Sequence, residues 1–134
     1  MTFNIDAAKI EEVISDKTVA ILAPNLMGNI CDWQTIRKLA DKYNLIVIED
    51  SADTLGASIN GLPSGYYSDM SITSFYGSHI INCAGNGGAL CLNDNNVFSQ
   101  AKLLRSWGRS SSLFDERSED IKNRFNINLD GIDY

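Results

Sequence analysis

Leu45-Ile46-Val47-Ile48-Glu49-Asp50 is the stretch on which the fold turns. An unbroken apolar run leads straight into two acids, with no alternation of polar and apolar positions. A run of this kind is the pattern of a strand buried on both faces of a parallel sheet. A second one, Val19-Ala20-Ile21-Leu22-Ala23, lies upstream and is stopped by Pro24. Between the two, Asn25 to Ile30 reads as a loop, and Asp32 is placed to cap a helix running to about Tyr43. That helix sets Ile36, Leu39 and Ala40 on one face and Arg37, Lys38, Asp41 and Lys42 on the other, a solvated face. Strand, helix, strand predicts a crossover unit, an α/β fold and a parallel sheet.

Working outward, Ile10, Val13 and Ile14 recur at helical spacing and predict a short amphipathic helix from Asp6 to Ile14. On the other side, ligands of open parallel sheets bind beyond the carboxyl ends of strands, which makes Asp50 a candidate ligand group. Asp53 follows, and a short helix through Ala52 to Leu55 would turn both carboxylates to one crevice; the alternative is that either acid only caps that helix. Asn60-Gly61 predicts a tight hairpin, and Gly65 and Asp69 bracket a turn before a strand at Met70 to Ser74. The chain's single histidine, His79, then lies in Ser74-Phe75-Tyr76-Gly77-Ser78-His79, ahead of Ala84-Gly85-Asn86-Gly87-Gly88 and a strand at Ala89 to Leu92. A loop between sheet elements is a place where chemistry is displayed, so His79 is a candidate base, with a solvated loop histidine as the alternative. Asp94-Asn95 predicts the start of a last helix, about Val97 to Trp107, with Gly108 as its stop. From Arg109 the chain is polar and serine-rich, and is expected to be poorly ordered in isolation.

Composition bounds what these elements can do. The 134 residues, 44% hydrophobic, suffice for one modest domain. A net charge of −6 provides no basic stripe to displace counterions, which argues against nucleic acid as a partner. Cys31, Cys83 and Cys91 are odd in number and lack a CxxC pair, as expected of reduced thiols in a cytoplasmic protein, with no disulfide and no metal. No run approaches a membrane span and no signal-like N-terminus is evident, so a soluble, unexported protein without a membrane partner is expected.

Ile48-Glu49-Asp50-Ser51-Ala52-Asp53-Thr54-Leu55-Gly56-Ala57, then Asp69 to Phe75 and the Gly87-Gly88 strand, resembles the central part of the nucleotide-sugar aminotransferases of the DegT/DnrJ type. These are fold-type I pyridoxal-phosphate enzymes. The resemblance runs from about Ile10 to the chain's end and implies a three-layer partial large domain of the aspartate aminotransferase-like fold over residues 1–109, with 110–134 as a polar C-terminal stretch. It also implies that the chain is a fragment, lacking the preceding glycine-serine phosphate loop and the small domain, and that the full-length parent is a homodimer.

In most of that family, the position five residues after the serine holds the lysine that links to the cofactor; here it is His79. Histidine at that slot is similar to the 3-dehydratase branch, which uses pyridoxamine 5′-phosphate in place of covalently held pyridoxal 5′-phosphate to remove a hydroxyl from a nucleotide-linked 4-keto-6-deoxy sugar. Asp53, where aminotransferases commonly have glutamine, and Leu104 to Arg109 point the same way. The resemblance gives Asp50 the cofactor ring nitrogen, Asp53 the ring-oxygen side, Ser74 the phosphate and His79 the catalytic base. Imidazole has no primary amine with which to link to an aldehyde, and it exchanges a proton near neutral pH, so the chemistry suits a base rather than a covalent anchor. Ser110 to Ser112 stand where iron-sulfur members carry cysteines, so no cluster is expected. Three other readings stay open: a sugar-nucleotide aminotransferase relative, a noncatalytic remnant or regulatory α/β module, and a nicotinamide-binding domain. The last fits poorly, because Gly85-Asn86-Gly87-Gly88 precedes a strand where a dinucleotide site needs a strand-to-helix turn.

Overall fold

The computed structural model of the chain describes residues 2–79 and 81–108. The expectations placed on residues 109–134 lie outside the described residues. Two units are present, Met1–Asn93 and Asp94–Tyr134.

The first unit is built on the two apolar runs. They form β1 (Ala20–Pro24) and β2 (Ile46–Asp50), parallel and in register from Ala20 opposite Ile46 to Pro24 opposite Asp50. The connecting helix α1 spans Trp33–Tyr43, and the Asp32 carboxylate accepts from the Thr35 N–H at 3.1 Å, satisfying one of the donors a helix start leaves free. Asn44 ends it in the left-handed region (φ 53°). A small hairpin follows, β3 (Ser58–Ile59) and β4 (Leu62–Pro63), turned by Asn60 (φ 52°) and Gly61 (φ 80°) as the Asn-Gly pair predicts. Strand β5 (Met70–Ser74) then pairs parallel with β2, and β6 (Gly88–Leu92) pairs antiparallel with β5, giving the order β1-β2-β5-β6. The turn entering β5 is tied to both layers, since the Asp69 carboxylate accepts from the Val47 N–H at 2.7 Å and from Arg37 at 3.0 Å.

One sheet face carries the core. Trp33, Ile36 and Ala40 of α1 are buried with Ile21, Ala23 and Val47 of the strands and with Ile10, Cys31 and Leu45. Burial of a side chain of this size contributes about 1.5–3 kcal/mol, so this cluster is the main stabilising feature of the unit. The opposite face differs from the expectation of strands buried on both sides. There Leu22, Ile48, Met70 and Leu92 form one continuous cross-strand row, yet Leu22 is 58% exposed, and Ile46 and Leu90 are 44% and 47% exposed. The strands have the pattern of a doubly covered sheet, and within the first unit the second face is only partly covered, with Ile48, Met70 and Leu92 half-buried.

Two further segments differ from expectation. Asp6 to Ile14 forms a 3-10 helix, Ala7–Val13, with Asp6 as its cap and only Ile10 buried. It is anchored from outside by Glu11, which accepts from Lys42 and Tyr43 at the end of α1. The helix expected over Ala52 to Leu55 does not form. The Ser51 N–H instead continues the sheet ladder to the Ile72 carbonyl (2.8 Å), the Asp50 carboxylate takes the Ala52 N–H (3.0 Å), and successive turns close from Thr54 to Ser51 and from Ala57 to Thr54. Local side-chain acceptors outcompete the helical pattern here.

In the second unit, α2 spans Asn95–Arg105. The Asp94 carboxylate caps it by accepting from the Asn96 and Val97 N–H groups. Trp107 (φ 57°) and Gly108 (φ 80°) end it, the Gly108 N–H returning to the Leu103 carbonyl at 2.7 Å. Among the described residues no helix is long and apolar enough to cross a membrane.

Candidate active site

The candidate residues gather at the C-terminal ends of β2 and β5. Strand alternation sends Asp50 to the same face as Ile48, and Ser74 to the same face as Met70 and Ile72; the register sets Asp50 opposite Ile72. This is the face opposite the core. Glu49, one residue earlier, points the other way and is 1% exposed.

Sequence reasoning passed over Glu49 and Asn25, and they form the support beneath the site. The Glu49 carboxylate accepts from Asn25 Nδ2 (2.9 Å), Ser51 Oγ (2.7 Å) and the Gly65 N–H (2.8 Å). Asn25 in turn uses its Oδ1 to accept from the Cys31 N–H and from Trp33 Nε1, both at 2.9 Å. A buried carboxylate is costly unless paired and hydrogen-bonded, and here neutral donors from three segments satisfy it. The available signal was an acid ending an apolar strand and a polar residue directly after Pro24. Burial pushes the neighbouring Cys31 thiol up, so it is held as an uncharged, inert thiol. The Cys83 and Cys91 thiols are exposed and free.

The connection from β5 to β6 folds back on itself. Ser74 Oγ accepts from the Tyr76 N–H at 3.2 Å, the Tyr76 carbonyl from the His79 N–H at 2.9 Å, and the Phe75 N–H donates to the Gly87 carbonyl at 2.8 Å. The double glycine is explained by close approach. A Cβ on Gly87 would lie 2.7 Å from Cys83 Sγ, and one on Gly88 3.0 Å from the Thr73 carbonyl.

His79 is half-buried, its ring edge-on to that of Tyr76 at 6.1 Å between centroids. Its Nδ1 lies 3.1 Å from the Ala52 carbonyl oxygen and 4.0 Å from Asp53 Oδ1. A carbonyl only accepts, so Nδ1 carries the proton in this bond and the lone pair of the neutral ring is on Nε2. Asp53 Oδ2 accepts from the Met27 N–H at 3.4 Å, across from the turn after β1.

Asp53, Ser74, Ser78 and His79 line one cleft of about 650 Å³, rimmed by apolar Met27, Leu55 and Ile81. The structure thus brings together Asp53, Ser74 and His79. Asp50 is not among the residues that line the cleft, and its described bond is to the Ala52 N–H, whose carbonyl meets His79. Among the described residues no lysine lines the cleft.

The model of the DegT/DnrJ/EryC1/StrS aminotransferase family matches residues 1–133. The chain belongs to this family. It is similar to the GDP-perosamine synthase of Caulobacter vibrioides, 43% identical over 80% of the chain and 29% of that protein. It is also similar to the GDP-4-keto-6-deoxy-D-mannose 3-dehydratase of Yersinia pseudotuberculosis, 34% identical over 84% of the chain and 28% of that protein. A solved GDP-4-keto-6-deoxymannose-3-dehydratase with a trapped PLP-glutamate geminal diamine superposes with a TM-score of 0.77 at 28% identity, over 84% of this chain and 29% of that one. The chain therefore spans about three tenths of the length of these family members, and its fold is a partial aminotransferase-type α/β sheet.

Proposed function

We propose that this chain is the cofactor-facing part of a nucleotide-sugar enzyme that uses pyridoxamine or pyridoxal 5′-phosphate, and that its reaction is the 3-dehydration of a nucleotide-linked 4-keto-6-deoxy sugar. The observation that carries this is His79 on a cleft that among its described residues has no lysine. The donor set of the cleft suits the cofactor in part: the Asp53 carboxylate, the Ser74 hydroxyl and the His79 imidazole line it, while Asp50 at the end of β2 stands outside that lining.

When bound, pyridoxamine phosphate supplies an amine for the sugar's C4 ketone and a ring that accepts electrons, so that the C3 hydroxyl can leave. Asp50 would pair with the ring nitrogen and keep it protonated, and Asp53 would serve the ring oxygen. Ser74 donates its hydroxyl to the phosphate. His79, protonated on Nδ1, removes the proton from the cofactor's C4′ carbon at Nε2. The parent works as a homodimer in this reading, and the 134-residue chain alone, spanning about three tenths of its relatives' length, is inactive.

A second reading, a sugar-nucleotide aminotransferase, is favoured by the identity to a perosamine synthase. Borohydride treatment of the parent with the aldehyde form of the cofactor separates the two. The dehydratase reading predicts no reducible lysine link, and His79→Lys should create one, with visible absorbance and a product that keeps its C3 hydroxyl. A reducible link in the native enzyme would overturn it, because a lysine elsewhere would then hold the cofactor.

A further inference from the structure

We infer that Asp53 is a positioning residue that, together with the Ala52 carbonyl, biases the proton of neutral His79 to Nδ1. The two oxygens of its carboxylate are divided between two partners. Oδ2 accepts from the Met27 N–H at 3.4 Å, which turns Oδ1 toward His79 Nδ1 at 4.0 Å. The Ala52 carbonyl meets the same nitrogen at 3.1 Å, and the Ala52 N–H is itself held by Asp50 Oδ1 at 3.0 Å. Nδ1 therefore faces two acceptors from one turn and no described donor, an environment that stabilises N–H there and disfavours a lone pair. A histidine side chain in water prefers its proton on Nε2, so the turn reverses the ordinary tautomer. The reversal matters for the proposed reaction, on which its catalytic consequence rests: it makes Nε2 the nitrogen that takes a proton.

Met27 strengthens the case that this is a built arrangement. It is a non-glycine residue with φ 54°, a strained conformation that persists where the surroundings over-determine it, and its N–H is the group that orients Asp53. The turn after β1 and the turn after β2 are thus joined through the carboxylate that faces His79.

Because His79 is the only histidine in the chain, its ring nitrogens give an unambiguous ¹⁵N NMR signature in the 134-residue protein. At a pH where imidazole is neutral, the native chain is expected to show the proton on Nδ1. In Asp53→Asn, an amide that keeps its oxygen on Met27 presents a donor to Nδ1, and the ratio of Nδ1–H to Nε2–H should fall about fivefold. A native ring protonated on Nε2, or a ratio unchanged in both Asp53→Asn and Asp53→Ala with the amide spectrum of the strands intact, overturns the inference. In the longer parent, Asp53→Asn should lower kcat about tenfold, part of the 10²–10⁴ a general base supplies, and by more than any change in pyridoxamine phosphate affinity from its place on the cofactor side accounts for. Lost cofactor affinity with an unchanged kcat would make Asp53 a cofactor contact and also overturn it. If the tautomer is as expected but the parent dehydrates no sugar, the functional reading fails and the positioning role stands.

Discussion

At the scale of single residues, Asn25 and His79 show opposite kinds of legibility. His79 stood out in the sequence because it is the only imidazole and sits in a loop between apolar segments. Asn25 gave no such signal, because its role depends on four partners from distant positions: Glu49, Ser51, Cys31 and Trp33. Such a hub exists only after β1, β2 and α1 have met. Asn25→Ala strands the Trp33 and Cys31 donors and removes a donor from buried Glu49, and each orphaned buried group costs about 1–3 kcal/mol. Chemical denaturation of the variant should show a loss of about 3 kcal/mol or more; a loss under about 1 kcal/mol would mean that the network re-forms around water. Asp50 was legible as an acid at a strand end, but its bond to the Ala52 N–H was not, because it replaces a helix that local spacing favours.

At the scale of elements, the apolar runs, the Asp32 cap and the Asn60-Gly61 hairpin were legible because each rests on local chemistry. The N-terminal segment was legible as helical, and its 3-10 form was not, because its anchor is the contact from Glu11 to Lys42 and Tyr43. Hydrogen bonds from Lys42 and then Tyr43 hold the Glu11 carboxyl below the usual carboxylate range, and Glu11 holds Lys42 above the usual lysine value of 10.5. The stabilisation from Glu11 is complete above the ordinary carboxylate titration and is lost as pH falls through the depressed value. That from Lys42 is complete below 10.5 and is lost as pH rises through the raised value. Glu11→Gln should therefore lower the midrange slightly, since the pair is exposed, and leave stability below the depressed value unchanged, so that the acid limb becomes shallower; an acid limb identical to that of the native chain would contradict the assignment. In the β5–β6 connection, Gly87→Ala places a methyl 2.7 Å from Cys83 Sγ. Thermal melting should show a loss that Cys83→Gly partly reverses, and equal losses in the single and double variants would assign the glycine to some other cause.

At the scale of the whole molecule, the sheet face that leaves Leu22, Ile46 and Leu90 exposed agrees with a chain spanning about three tenths of its relatives. The sequence reads as a sheet covered on both faces because its strands carry that pattern; which face the chain itself covers was not legible, since α1 packs one side and the pattern is indifferent to side. Exposed apolar rows of this kind promote association. Sedimentation of the 134-residue chain should show concentration-dependent self-association that Leu22→Lys reduces, and a sharp monomer at all concentrations would contradict this. The central proposal is that His79 serves as the base of a dehydration in a longer parent enzyme. The most direct measurement is the rate of C3-hydroxyl loss from a 4-keto-6-deoxy sugar nucleotide by His79→Asn, with pyridoxamine phosphate binding measured alongside. The account predicts a rate lower by about 10²–10⁴ with binding retained; full dehydration by the variant would make His79 an ordinary loop residue and contradict it.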